Sequence, residues 1–163
     1  DLAVVLSANN DRLSYRYITT ETLYLAIPPS YAKKMDLKPG FNDCNIPIEE
    51  IRDEPFILLR EKHGLRKTAD TIFSDAEIVP NIILETDDFL ISQQLTSSDL
   101  GFSFSSSCTI NPKSKDVYYC LTSDPTGSRK LYLCTEKDRY NSNAFTSLSE
   151  MIITLIKKHK EHQ

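Results

Sequence analysis

EPFILLREKHGLRKTADTIFSDAEIVPNIILETDDFLISQQLTSSDLGFSF, residues 54–104, changes its hydrophobic period from strand-like to helix-like and back. After Pro55, residues 56–59 are a continuous apolar run, as in a buried strand. Leu65, Ala69, Ile72, Phe73 and Ala76 then recur at offsets of four, three, one and three. That spacing predicts an amphipathic helix of about three turns. Residues 82–84 are another short apolar strand. Thr86 or Asp87 can cap a second helix with Phe89, Leu90 and Leu95 on its apolar side. That helix is expected to stop near Asp99-Leu100-Gly101, with residues 102–104 as the next strand. Strands alternating with helices imply βαβ units, hence an α/β chain with a mostly parallel sheet covered on both faces.

Upstream, residues 2–6 are an apolar run, as in a strand buried on both faces, and residues 8–11 are a turn signal. Residues 13–17 alternate in character, and residues 23–27 are a second apolar run ended by Pro28-Pro29. Residues 31–43 mix Lys, Pro, Gly and Asn and read as a surface loop at a subdomain boundary. Residues 46–51 are expected as a short helix with acidic residues in its first turn. Downstream, the strands VYYCL and KLYLC flank turn residues 123–127. Ser142 can cap a long final helix with Phe145, Leu148, Met151, Ile152, Leu155 and Ile156 on one side.

Composition narrows the function. The 163 residues hold 19 Lys+Arg against 23 Asp+Glu, a net charge of −4, and are 40% hydrophobic. This excludes disordered and collagen-like chains and suits one domain, or one and a half small ones. Net acidity argues against a whole-chain nucleic-acid footprint, and no run is long enough to span a bilayer. The chain opens straight into a strand without an initiator Met or signal peptide, which reads as a fragment. Cys44, Cys108, Cys120 and Cys134 form no Cys-x-x-Cys pair, and no histidine stands at zinc-finger spacing from them. Cys120 and Cys134 lie in the two Tyr-rich strands and would approach if these paired antiparallel; the simpler reading is two buried, reduced thiols of a cytoplasmic protein. His159 and His162 fall in a Lys-rich tail expected to fray rather than bind metal.

No nucleophile elbow, Gly-rich phosphate loop or H-E-x-x-H motif is present, so no catalytic residue, metal or cofactor is expected. The pairs Glu49-Glu50 and Asp87-Asp88 read as charges at helix N-termini, because adjacent helical residues do not face the same way. The arranged positions are strand-to-helix junctions, where ligands sit in open parallel sheets. They are Leu6-Ser7, Arg60 through Arg66, and Glu85-Thr86-Asp87. Unpaired backbone N–H groups at the following helix starts can receive anions, and Arg60, His63 and Arg66 add positive charge. Thr86 either caps its own helix or donates to a ligand.

Residues 54–104 resemble the effector-binding domain of LysR-type transcriptional regulators, with their "pfil" strand, "ghglr" helix start, "p.iv.e" strand and "aGlGia" joint. DLAVV followed by ITTETLYLAIPPSYA, and SDPTGSRKLYLCTEKDRYNSNAFTSLSEMI near the end, are similar to that family's flanking stretches. The resemblance implies a fold like a type-2 periplasmic binding protein: two α/β subdomains joined by crossing strands around a small-molecule cleft. Residues 1–22 would then be part of the first subdomain, 23–45 a crossover strand and loop, 46–122 the second subdomain, and 123–163 the return crossover and final helix. Matching cleft positions are Leu6, Ser7, Arg60 to His63, Thr86, and Phe104 to Ser106. The resemblance also implies a small-molecule effector, self-association as dimer or tetramer, DNA contact only through an absent N-terminal domain, and no membrane; Arg60, His63, Arg66 and two helix N-termini point to a polar or anionic effector. An incomplete first subdomain would leave a sheet edge and an apolar helix face uncovered. A solute-binding protein of a transporter is the alternative. Where the family has the first Gly of "aGlG", this chain has Asp99, a position that often needs positive φ. A Pro common after the next strand is replaced in Ser105-Ser106-Ser107, and the cysteines of redox-sensing members around the "glr" helix are missing.

Overall fold

The computed structural model describes residues 2–6, 8–110, 117–122, 127–137 and 142–161. Ser7, most of the turn at 123–127 and His162 lie outside them. The chain forms two compact units, Asp1–Glu21 with Ser128–Gln163, and Thr22–Gly127.

The first unit contains strand β1 (Leu2–Val5), the start of β2 (Leu13–Ile27), β8 (Ser128–Glu136) and helix α4 (Asn143–Glu161). β8 lies between β1 and β2, and β1 pairs with it antiparallel, Leu2 opposite Thr135. β1 was expected to be buried on both faces; instead it ends the strand order, and Val4 and Leu6 are exposed. A strand with one neighbour has no second layer to enter. Ser142 does start α4, its Oγ accepting from Phe145 N at 3.2 Å. The helix packs through Ile153 on Ile18, Leu131 and Leu133. The stripe Leu148, Met151 and Leu155, expected on the buried side, is exposed; Leu155 is 60% accessible. Among the described residues β1 thus has β8 as its one strand neighbour, and α4 carries exposed apolar side chains. The tail expected to fray continues α4 to Glu161.

The second unit holds α1 (Pro29–Lys34), β3 (Gly40–Ile46), β4 (Pro55–Leu59), α2 (Gly64–Asp75), β5 (Asn81–Thr86), α3 (Phe89–Ser97), β6 (Ser103–Ser106) and β7 (Tyr118–Thr122). A 3-10 turn, Ile48–Ile51, stands where the short helix was expected. Residues 31–43 are not the loop the composition suggested, since α1 and β3 occupy most of them. Pro29 at the first helical position fixes φ for α1, and Lys33 and Lys34 suit its last turn. The end of β2 pairs antiparallel with both β6 and β7, Leu25 facing Phe104 and Cys120. The pairs β3–β7 and β4–β5 are parallel. Parallel pairing thus holds away from the crossing strands β2 and β8, whereas every registered antiparallel pair includes one of them.

The main core joins Leu23, Leu25, Ile27, Ile46, Ile51, Phe56, Ile72 and Phe102 with their neighbours. Phe56 is fully buried, edge-on to Phe73 at 5.0 Å and stacked on Phe104 at 6.3 Å. Gly101 is required by close approach: an added Cβ would lie 2.6 Å from the carbonyl oxygen of Pro55. Asp99 adopts φ 68°, the left-handed conformation anticipated there, and its Oδ1 accepts from Ser30 N at 2.9 Å, a bond no glycine can make.

Two expectations fail in this unit. α3 buries Ser92, Gln93 and Thr96; of the apolar side assigned to it, Leu90 is exposed (58%) while Phe89 and Leu95 are half-buried. The cause is the partner strand. Gln93 Nε2 donates to Ser105 Oγ at 2.9 Å and Thr96 Oγ1 to Ser103 Oγ at 2.8 Å, so buried polar groups satisfy one another. The cysteine reading also changes. Cys120 is neither a free thiol nor beside Cys134, because it is bonded to Cys44 with Cα atoms 5.4 Å apart. The register of β3 slips between Phe41 and Asn45, and this irregularity brings Cys44 alongside Cys120. Cys134 is a buried thiol outside any disulfide, and Cys108 is a part-buried one.

Candidate functional site

The parallel strands β4 and β5 end side by side, Leu59 opposite Thr86, and their following loops build one cluster in the second unit. Arg60 N donates to Thr86 O at 3.0 Å, which closes the strand ends together. Asp87, the next residue, collects three basic side chains. Lys62 Nζ lies 2.8 Å and His63 Nε2 3.2 Å from its Oδ1, and Arg60 Nη1 lies 3.5 Å from its Oδ2. All four side chains are accessible. The Lys62 hydrogen bond, then that of His63, holds the Asp87 carboxyl below its ordinary range. A carboxyl depressed in the folded state stabilises the fold above its unfolded pKa of about 3.9, and that contribution is lost as pH falls through the folded value.

The surrounding backbone is fixed by side chains. Thr86 does not cap α3: its Oγ1 accepts from Asp88 N at 3.1 Å and tightens the turn. Asp88 is the cap, accepting from Leu90 N at 2.8 Å. α2 starts at His63 with no side-chain cap bond. The start of α2, just after the three basic residues, thus lacks a side-chain cap, while the start of α3 is capped by Asp88.

Of the sequence-derived positions, Arg60, His63 and Thr86 come together here. Arg66 is 8% exposed and spends its donors within the unit: Nη1 on Leu59 O (2.8 Å) and on Glu85, Nε on Asp70 Oδ1 (2.7 Å). Burial lowers its guanidinium pKa, but those carboxylates outweigh burial and hold it above its ordinary value. Phe104 is packed in the aromatic core. Ser106 is buried, and its Oγ accepts from Cys108 N at 3.0 Å. Ser107 Oγ accepts from Thr22 N at 3.0 Å, so these serines shape the turn where the family has a proline. Leu6 is an exposed bend residue of the first unit. Sequence reasoning placed Asp87 at a strand-to-helix junction and as a helix-end charge, but not as the partner of Arg60, Lys62 and His63. The one signal for its role is that it follows the second of two adjacent parallel strands.

A groove of about 200 Å³ in the first unit, lined by Ser14, Thr135, Thr146 and Ser149 among others, has its charged pair occupied: Arg16 Nη1 donates to Glu150 Oε1 at 2.5 Å. Among the described residues no group of three or more His, Cys, Asp or Glu could hold a metal ion, and no helix is long and apolar enough to cross a membrane.

Comparison with known proteins identifies a family. A family model described as "LysR substrate binding domain" matches residues 1–156. The uncharacterized HTH-type transcriptional regulator YcgK of Bacillus subtilis (strain 168) is 30% identical over 165 residues, covering 91% of this chain and 50% of that protein. The chain therefore spans about half the length of the curated relatives it matches. The effector-binding domain of QuiR in complex with shikimate superposes with a TM-score of 0.73 at 22% identity, over 98% of this chain and 73% of that one. The regulatory domain of Synechocystis PCC6803 CcmR in complex with 2-PG gives 0.76 at 18% identity, over 96% and 74%. At these identities the likeness establishes the fold.

Proposed function

The chain belongs to the LysR substrate-binding domain family, and from that premise we propose that it is the effector-sensing and oligomerisation part of a cytoplasmic DNA-binding transcriptional regulator. Its effector is a small organic anion, received where Arg60, Lys62 and His63 converge at the ends of β4 and β5. DNA is read by another part of the protein, and effector binding shifts the population of assembly geometries. The observation that carries the anion class is the excess of basic groups, three around one carboxylate, beside the uncapped start of α2. The relative YcgK, a helix-turn-helix regulator by name, supports this reading over that of a transporter's solute-binding protein. Residues 60–63 and Thr86 are the positions of the second unit proposed for effector contact.

Thermal unfolding with acetate, benzoate and succinate tests the anion class. An effector at a hundredfold excess over its Kd stabilises by about 2.7 kcal/mol, a rise of roughly 5–10 °C for a chain of this size. Arg60→Ala, whose side chain is exposed, is expected to lose that rise while keeping the unliganded melting temperature. No rise with any of the three anions, or an equal rise in the variant, sinks the reading.

Self-association is the second part of the proposal. Leu90 and Ile91 of α3 and Ile83 and Leu84 of β5 expose apolar surface on the second unit, and β5 has a single strand neighbour. Such surface beside an open strand edge favours burial against another copy. Leu90→Ser with Ile91→Ser is expected to shift sedimentation toward the monomer without lowering the melting temperature, since neither side chain is in the core. Unchanged sedimentation at equal concentration removes α3 from the interface.

A further inference from the structure

The geometry points to Asp87 as an internal occupant of the anion site: its carboxylate holds the place of the effector's carboxylate in the empty protein and is displaced when effector enters. This rests on the reading of the Arg60–Lys62–His63 cluster as the effector site. The chemistry of the donors is already that of a bound carboxylate. Lys62 and His63 converge on Oδ1 and Arg60 lies near Oδ2, so both oxygens face basic side chains, as a ligand carboxylate would have them.

Three observations make Asp87 displaceable rather than structural. Its side chain and those of Arg60 and Lys62 are each about half exposed or more, so water and ions compete for every bond they make. Its backbone does not depend on its carboxylate. Thr86 Oγ1 secures Asp88 N, Thr86 O accepts from Arg60 N, and Asp88 caps α3. The side chain can therefore swing away while the turn stays closed. Finally, the nearby carboxylates that are structural are placed otherwise: Glu85 and Asp70 are bound to Arg66, which is 8% exposed, whereas Asp87 faces the exposed Arg60 and Lys62.

The consequence is a set threshold. A ligand that binds only the open site has its affinity reduced by the fraction of molecules in which Asp87 has left. An effector with two carboxylates, or one with further contacts, overcomes this competition; a lone simple carboxylate does so poorly. Asp87 thus sets one affinity threshold for all carboxylates, and the weakest of them fall below it at a given concentration.

Calorimetric titration of the protein and of Asp87→Asn with acetate, benzoate and succinate tests this. With the site open in about one molecule in ten, Asp87→Asn binds succinate about tenfold more tightly, and acetate gains by a similar factor. Equal or weaker succinate binding by Asp87→Asn overturns the inference while leaving the anion site standing. Absence of binding to either protein overturns both. A second readout needs no substitution: carboxyl carbon resonances of the parent followed against pH. In saturating succinate the Asp87 titration moves up toward the ordinary carboxylate range as its cations are withdrawn. An unmoved titration in the bound state overturns the inference.

Discussion

Phe56→Ala is expected to cost about 3–5 kcal/mol, because removing a large buried aromatic leaves a cavity that the surroundings fill only in part. Phe56 is fully buried at the middle of an aromatic cluster with Phe73, Phe102 and Phe104, at centroid distances of 5.0, 5.9 and 6.3 Å. The edge-on pair with Phe73 contributes beyond simple burial. The site cannot collapse easily, since Phe102 N is bonded to Pro55 O at 2.8 Å and Gly101 is pressed against the same carbonyl. For a chain of this size the loss corresponds to a fall of roughly 6–20 °C in melting temperature, and Phe56→Leu is expected to fall by less than half as much. Calorimetry decides the matter. A melting temperature for Phe56→Ala within about 2 °C of the parent, no more than about 1 kcal/mol produces, would show that the cluster does not carry the stability of this unit.

Glu21→Gln is expected to destabilise by a similar amount for a different reason. Arg129 Nε donates to Glu21 Oε2, with side chains only 16% and 6% exposed. Both residues lie in the first unit, on the neighbouring strands β8 and β2. Arg129 Nη1 is buried with no hydrogen-bond partner among the described residues. Neutralising Glu21 strands a buried guanidinium that already has an unmet donor, and breaking such a pair from one side costs about 3–5 kcal/mol. Replacing both partners, Glu21→Leu with Arg129→Met, removes the uncompensated charge and is expected to recover most of the loss. The full double-mutant cycle by urea unfolding checks this. A single-variant loss below about 0.5 kcal/mol, the level of an ordinary surface change, would mean that the pair is not coupled.

What the sequence alone determined follows from local physics. Apolar runs next to prolines placed β4 and the end of β2, and the 65–69–72–73–76 spacing placed α2. Ser142 announced the start of α4. Asp99 in a family glycine's position announced a left-handed residue. Each depends on a few neighbouring residues. The basic residues at the end of β4 were visible for the same reason, as charges next to a strand end. The tertiary structure alone decided which faces are buried and which distant groups meet. α3 turns its hydroxyls and Gln93 inward only because β6, later in the chain, supplies Ser103 and Ser105 as partners. Cys120 finds Cys44 across 76 residues through an irregular strand that composition presented as loop. Asp87 becomes the centre of the cluster because β5 pairs in parallel with β4, which sets it beside Arg60, Lys62 and His63. Local period and capping are encoded within a turn or two of chain, whereas hydrogen-bond satisfaction and charge pairing depend on residues that only the packed fold brings together.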